Sequence, residues 1–185
     1  MRIIAGEARG RRLEEPKGMV SRPILDGLKE RLFNILGSRA AGARVWDVFA
    51  GVGSMGLEAL SRGAEHAVFV ERDRRVFDVL RRNIRTLGFE DRATARRTDA
   101  LAVGRSSEES PADLIFFDPP FPMVLRDGDR VLGALTRLAE SVLSPDGIIV
   151  YRSPTESAPW LPDSTLSEAD RREHGVNRLQ FFQLD

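Results

Sequence analysis

Val45-Trp46-Asp47-Val48-Phe49-Ala50-Gly51-Val52-Gly53-Ser54-Met55-Gly56 is the stretch on which the fold turns. Residues 45–49 are apolar except for Asp47 and rich in branched and aromatic side chains, which predicts a buried strand. A glycine-rich turn follows, and 55–62 has the apolar spacing of a helix. Strand, glycine turn and helix in this order open a unit whose next strand is parallel to the first. That next strand is read at 67–70, followed by an amphipathic helix over 73–87 and strands at 93–98 and 113–117. A helix over 129–143 and a strand over 147–151 come next, the latter introduced by the turn Ser144-Pro145-Asp146-Gly147. Strands alternating with helices predict an α/β domain with a mostly parallel sheet and helices on both faces. Segments 166–172 and 178–184 close it as an antiparallel hairpin.

Upstream of this core, Arg2-Ile3-Ile4 and Arg11-Arg12-Leu13 flank a glycine-containing turn, and 24–36 has helical spacing of Leu25, Leu28, Leu32, Ile35 and Leu36. The chain therefore divides into a hairpin-plus-helix extension (1–40) and a core (41–185). Segments 104–111 and 153–162, rich in Ser, Glu and Pro, read as irregular loops.

The 185 residues suffice for one domain, and no apolar run reaches the roughly 18 residues of a membrane span. The N-terminus, Met1-Arg2-Ile3-Ile4-Ala5-Gly6, runs straight into Glu7 and Arg9 and lacks the apolar core of a secretory signal, so a cytoplasmic protein without membrane association is expected. With no cysteine and only His66 and His174, thiol catalysis, disulfides and a metal site are not expected. The net charge of zero conceals an asymmetry: residues 1–39 carry nine Lys/Arg against five Asp/Glu, and 98–185 carry eight against fifteen. Arg9, Arg11, Arg12 and Arg22 are the candidate contacts to nucleic-acid phosphates.

The glycines sit where an open sheet binds ligands, and Glu71 ends the next strand twenty residues after Gly51, where an acid can hold a ribose hydroxyl pair. By spacing alone this fits a nicotinamide dinucleotide as well as any other nucleoside cofactor. The phrase Asp47 to Gly53 resembles motif I of class I methyltransferases, in which the loop passes under the methionine part of S-adenosylmethionine. On that resemblance Asp47, Phe49, Ala50, Gly51, Gly53, Glu71, Arg72, Asp99 and Ala100 form the candidate cofactor site, with Asp99 accepting from the adenine amino group.

Asp118-Pro119-Pro120-Phe121 follows the strand at 113–117, again at the carboxyl edge of the sheet. The lone pair of a base's exocyclic amine is delocalised into its ring, and becomes nucleophilic when acceptors hold its N–H groups and let the nitrogen pyramidalise. A carboxylate and a proline-flanked carbonyl supply two such acceptors, held by the restricted backbone before substrate arrives. Phe121 offers a face on which an unstacked base can lie.

Over nearly its full length the chain resembles the bacterial 16S ribosomal RNA guanine-N2 methyltransferases of the RsmD type. The resemblance runs through residues 1–13, Arg22-Pro23, Asp26, Lys29-Glu30, 32–36, 47–53, 56–64, Glu71, Asp73, Asn83 and the tetrad at 118–121. It departs at Ile24-Leu25, Gly27 and Val52. It implies a class I, Rossmann-like methyltransferase fold and transfer from S-adenosylmethionine to a guanine of 16S ribosomal RNA, free or in a small ribosomal subunit or assembly intermediate, by a monomer. Methylation of adenine N6 in RNA or DNA uses the same tetrad and stays open, as do a nicotinamide oxidoreductase and a non-catalytic RNA-binding protein.

Overall fold

The structure is a computed structural model that describes residues 1–16, 26–104, 110–160 and 165–185. The strand containing Asp47, β1 (Arg44–Val48), lies inside a seven-stranded sheet. Before it comes α1 (Asp26–Leu36). After it come α2 (Ser54–Ser61), β2 (His66–Val70), α3 (Arg74–Leu87), β3 (Ala93–Arg96), β4 (Ala112–Phe117), α4 (Phe121–Val142), β5 (Leu143–Pro154), β6 (Leu166–His174) and β7 (Asn177–Leu184).

The strand order is β3-β2-β1-β4-β5-β7-β6; β1 to β5 are parallel, and β7 is antiparallel to both β5 and β6. The chain winds from β1 outward to β3, then crosses back to β4. The reversal between β1 and β4 opens a crevice at their carboxyl ends, where such sheets bind ligands.

Two apolar layers sandwich the sheet. Leu57, Leu60, Leu80 and Ile84 of α2 and α3, with Leu32 and Phe33 of α1, cover Val45, Phe69, Leu114 and Phe116 on one face. Val131, Leu135 and Leu138 of α4 cover Val48, Ile115, Phe117 and Ile149 on the other. The expected mostly parallel sheet with helices on both faces and a C-terminal antiparallel hairpin is what forms.

The extension expected over 1–40 is sewn into this core. Arg2 and Arg12 pair as an isolated antiparallel bridge, and Ile3, Ala8 and Leu13 join the same apolar cluster as β1 and β4. The stitch is ionic. Glu58 of α2, with no exposed surface, accepts Ile4 N–H at 2.7 Å, Ala5 N–H at 3.0 Å and Arg62 Nε at 2.7 Å, with Lys29 Nζ at 3.4 Å. Lys29, equally buried, donates to Arg2 O at 2.6 Å and Ser54 Oγ at 3.2 Å. Asn83 closes the segment's far end, donating to Glu14 O and Val52 O and accepting Glu14 N–H.

Three boundaries differ most from the sequence reading. α4 begins at Phe121 rather than 129, because Pro122 occupies the first turn, where no N–H donor is needed, and Asp127 (φ −129°, ψ 40°) bends the helix without ending it. β5 begins at Leu143: Leu143 pairs with Ala112, then the register shifts to Ile148 against Leu114, and the residues of the expected turn bulge out between these pairs. β5 also runs on to Pro154, since β7 pairs with it from Ile149 to Pro154.

Candidate active site

Four strands deliver the candidate residues to one edge in spatial order. Asp99 follows β3, Glu71 follows β2, the glycine loop follows β1 and Asp118 follows β4. Three strand spacings separate the first from the last, about 14 Å, so these groups line one elongated edge of the sheet.

The loop is shaped by backbone conformation. Phe49, Gly51 and Gly53 all have positive φ (67°, 57° and 88°), so left-handed residues alternate with ordinary ones. At Gly53 a Cβ would come within 2.6 Å of Leu80 Cδ1, so this glycine serves close packing, whereas a Cβ on Gly51 would meet nothing and its surface is open toward the crevice. Phe49 is a non-glycine residue in the left-handed region, a conformation that costs on the order of 1 kcal/mol and persists where surroundings over-determine it. Its ring packs edge-on against Phe117 at 5.2 Å.

Glu71 ties the loop to the next helix. Its Oε2 accepts Gly51 N–H at 3.1 Å and its Oε1 accepts Asp73 N–H at 2.7 Å, while Asp73 itself caps α3 by accepting from Arg75 and Val76. Burial pushes the Glu71 carboxyl up, and the backbone donors at Asp73 and Gly51 oppose this. Each oxygen retains a lone pair, enough for the two hydroxyls of a ribose. Asp99 Oδ1 accepts Leu101 N–H at 3.0 Å and heads a turn that buries Ala100. Arg72, next to Glu71, is exposed, and Ala50 is buried with its N–H bonded to Val70 O.

Asp47 sits beneath the loop. It is 2% exposed and accepts Gly56 N–H at 2.8 Å, drawing the start of α2 onto β1. Burial pushes its carboxyl up to about 7, reinforced by Asp118 and Glu71 and opposed by the Gly56 N–H. A carboxyl raised from 3.8 to about 7 binds its proton more tightly in the folded chain. Its contribution to stability is therefore complete below the unfolded value and is lost as pH rises through about 7. Asp47→Asn is expected to remove that slope: the difference in unfolding free energy between variant and wild type should shift in the variant's favour from pH 4 to pH 8. A difference constant with pH would contradict it.

At the other end, Asp118 is fixed by a residue that the sequence did not single out. Arg152 Nε, from β5, donates to Asp118 Oδ1 at 2.7 Å, Arg152 Nη1 donates to Asn177 Oδ1 at 2.9 Å, and the guanidinium lies 4.9 Å from the Phe121 ring centre. Pro120 O is spent on starting α4, accepting from Met123 at 2.8 Å and Val124 at 3.2 Å. Pro119 O therefore remains as the main-chain acceptor beside Asp118. Arg31 Nη1 of α1 lies 2.8 Å from His174 Nδ1, so α1 meets the β6–β7 hairpin that also carries Asn177.

The proposed phosphate contacts are placed differently. Arg11 Nη2 donates to Thr86 O at 2.6 Å, near the C-terminus of α3, and the turn over residues 6–10 is bonded to Ser61, the last residue of α2. Both helices start at the ligand edge and end at the opposite one; the 14 residues of α3 span about 21 Å. Arg9, exposed in that turn, and Arg11 are thus remote from Asp118, and Arg11 is engaged by the C-terminal end of α3. Arg12 is exposed beside the Arg2 bridge, and Arg22 lies outside the described residues. Among the described residues no group of three or more His, Asp or Glu side chains is placed to hold a metal ion, and no helix is long and apolar enough to cross a membrane.

Known proteins resemble this chain in sequence and in fold. The chain is 38% identical over 154 residues to a putative rRNA methyltransferase of Bacillus subtilis, covering 81% of this chain and 80% of that one. It is 30% identical over 185 residues to the ribosomal RNA small subunit methyltransferase D of Haemophilus influenzae, covering 99% and 93%. Among solved structures, a putative methyltransferase from Escherichia coli superposes with a TM-score of 0.81 at 32% identity, covering 100% of this chain and 98% of that one. The model of the family described as conserved hypothetical protein 95 matches residues 1–183, and the chain belongs to that family, the RsmD-type methyltransferases of class I fold.

Proposed function

We propose that the protein transfers a methyl group from S-adenosylmethionine to the exocyclic N2 amine of a guanine in 16S ribosomal RNA. The observation that carries the reading is a carboxylate, Asp118, held by Arg152 at one end of the crevice and followed by a proline-restricted backbone, with the glycine loop and Glu71 farther along the same edge. The relatives' names supply the RNA and the subunit.

The cofactor, when bound, supplies an electrophilic methyl group on a sulfonium. Glu71 would hold the ribose hydroxyls, Asp99 the adenine amine, and Gly51 the close backbone approach. Asp118 and Pro119 O would accept the two N–H groups of the target amine and turn its lone pair toward the crevice. The amine becomes acidic only as the new bond forms, so Asp118 takes a proton during or after transfer rather than before it. Phe121 stabilises the unstacked base.

Glu71→Ala is expected to weaken S-adenosylhomocysteine binding by about 10- to 100-fold, the worth of hydrogen bonds to a charged group, while kcat at saturating cofactor changes little. Calorimetry beside a full rate curve reads both; an unchanged dissociation constant would contradict the assignment. The function itself is tested by offering labelled cofactor with purified small ribosomal subunits, naked 16S RNA and duplex DNA, then mapping the modified nucleotide. Label on a guanine N2 of the RNA supports the reading. Label confined to DNA, or to an adenine N6, would overturn it.

A further inference from the structure

We propose that Arg152 reads the target base, donating from Nη2 to the carbonyl oxygen of a guanine whose amine is held by Asp118; this rests on the guanine-N2 reading above. The guanidinium is fixed by three elements at once: Asp118 after β4, Asn177 at the start of β7 and the Phe121 ring at the start of α4. Its side chain is 13% exposed and that of Asp118 21%, so both sit at the wall of the site with a little surface left open. Despite this anchoring, neither Arg152 Nη2 nor Asp118 Oδ2 has a hydrogen-bond partner among the described residues. An Arg with one uncommitted N–H pair and a carboxylate with one uncommitted oxygen, locked side by side, form a prepared donor and acceptor rather than a closed ion pair.

The bond between Arg152 Nε and Asp118 Oδ1 leaves Asp118 Oδ2 as the free acceptor and Arg152 Nη2 as the free donor of the same pair. Guanine presents the matching edge: an amine donor at C2 and a carbonyl acceptor at C6, separated by the ring N1–H. Adenine has no carbonyl on that edge, so the oxygen that distinguishes guanine is the atom that Arg152 Nη2 would read. A purely structural role for Arg152 accounts for the Nε and Nη1 contacts and leaves the open Nη2 without a use.

The test compares guanine with 6-thioguanine, which keeps the N2 amine and N1–H but replaces the carbonyl oxygen by a weakly accepting sulfur. Small-subunit RNA is ligated around an oligonucleotide carrying either base at the mapped position, and kcat/KM is measured for wild type, Arg152→Met and Arg152→Lys. Calorimetry with S-adenosylhomocysteine confirms that each variant is folded and keeps its cofactor affinity within about twofold. Wild type is expected to prefer guanine by about tenfold, the worth of one well-placed hydrogen bond. Arg152→Met should treat the two bases alike within about threefold, and Arg152→Lys should fall between. If Arg152→Met slows both substrates equally and keeps the preference, Arg152 only positions Asp118 and the proposal is wrong. It is equally wrong if wild type shows no preference. If wild type methylates some group other than guanine N2, the functional reading fails first, a result that mapping on unmodified RNA shows without any variant.

Discussion

Replacing Glu58 by alanine is expected to lower the unfolding free energy by about 4 kcal/mol, within the range for breaking a buried ion pair from one side. The loss has identifiable parts. Lys29, with no exposed surface, would keep its bonds to Arg2 O and Ser54 Oγ but lose its counter-charge, and the N–H groups of Ile4 and Ala5 would lose their acceptor. Against a typical stability of about 5–15 kcal/mol, this is a large fraction. The opposite truncation should be milder, since in Lys29→Met the Glu58 carboxylate still has Arg62 and both backbone donors. Burial already pulls the Lys29 ammonium below its ordinary value while Glu58 pulls it back up. Without Glu58 the folded chain binds that proton less tightly than the unfolded chain, so stability rises with pH between the folded and unfolded values. The deficit of Glu58→Ala should accordingly shrink between pH 7 and pH 9.5 in denaturant titrations. A deficit under about 1 kcal/mol, the worth of an ordinary surface pair, would show that the triad is not what fixes the N-terminal segment.

What could be read from the sequence and what could not follows the range of the interactions concerned. The strand, turn and helix from Val45 to Gly56 are set by local periodicity and by glycines that take positive φ, and Glu71 falls in register because one strand-helix-strand unit fixes its distance from Gly51. Asp118 was legible for the same reason, as the residue that ends an apolar strand. Arg152 was not. It stands 34 residues from Asp118, at the end of another apolar run, and an arginine there has no local pattern that separates it from a solvated strand end. Its partner Asn177 lies a further 25 residues on, at the start of β7 next to a turn, where asparagine is unremarkable. Lys29 and Glu58 were hidden differently: Lys29 sits in a helix among other charged residues and Glu58 is the single charge of an apolar one, and only the packing of α1 on α2 makes them a buried pair. Charge counting located the basic N-terminus but carried no information about which edge of the sheet it reaches. Arg9 and Arg11 lie at the edge of the sheet opposite Asp118, so on the proposed function they would meet RNA phosphates about 20 Å from the target base rather than beside it.

Asp118→Asn is expected to reduce kcat by about 10²- to 10³-fold, the scale on which one preorganised electrostatic group acts, and to leave S-adenosylhomocysteine affinity within about twofold. Asparagine is chosen because it separates charge from shape. Its amide oxygen can still accept from Arg152 Nε and its volume still fills the corner between β4 and β5, so the guanidinium keeps its anchor on Asn177 and Phe121. What the variant lacks is a negative group facing the amine as positive charge develops on nitrogen, and a base able to accept the proton that the methylated amine must lose. Because the amine is already bound before that charge appears, the loss should fall on kcat rather than on KM for RNA. Asp118→Ala should be at least as slow, and additionally less stable, since it leaves Arg152 at 13% side-chain exposure without its carboxylate. Single-turnover methylation at saturating cofactor reads the chemical step directly. Should Asp118→Asn retain a third or more of the wild-type rate, Pro119 O and the cofactor's own reactivity would suffice for transfer, and the carboxylate would have to be reassigned from catalysis to the support of Arg152.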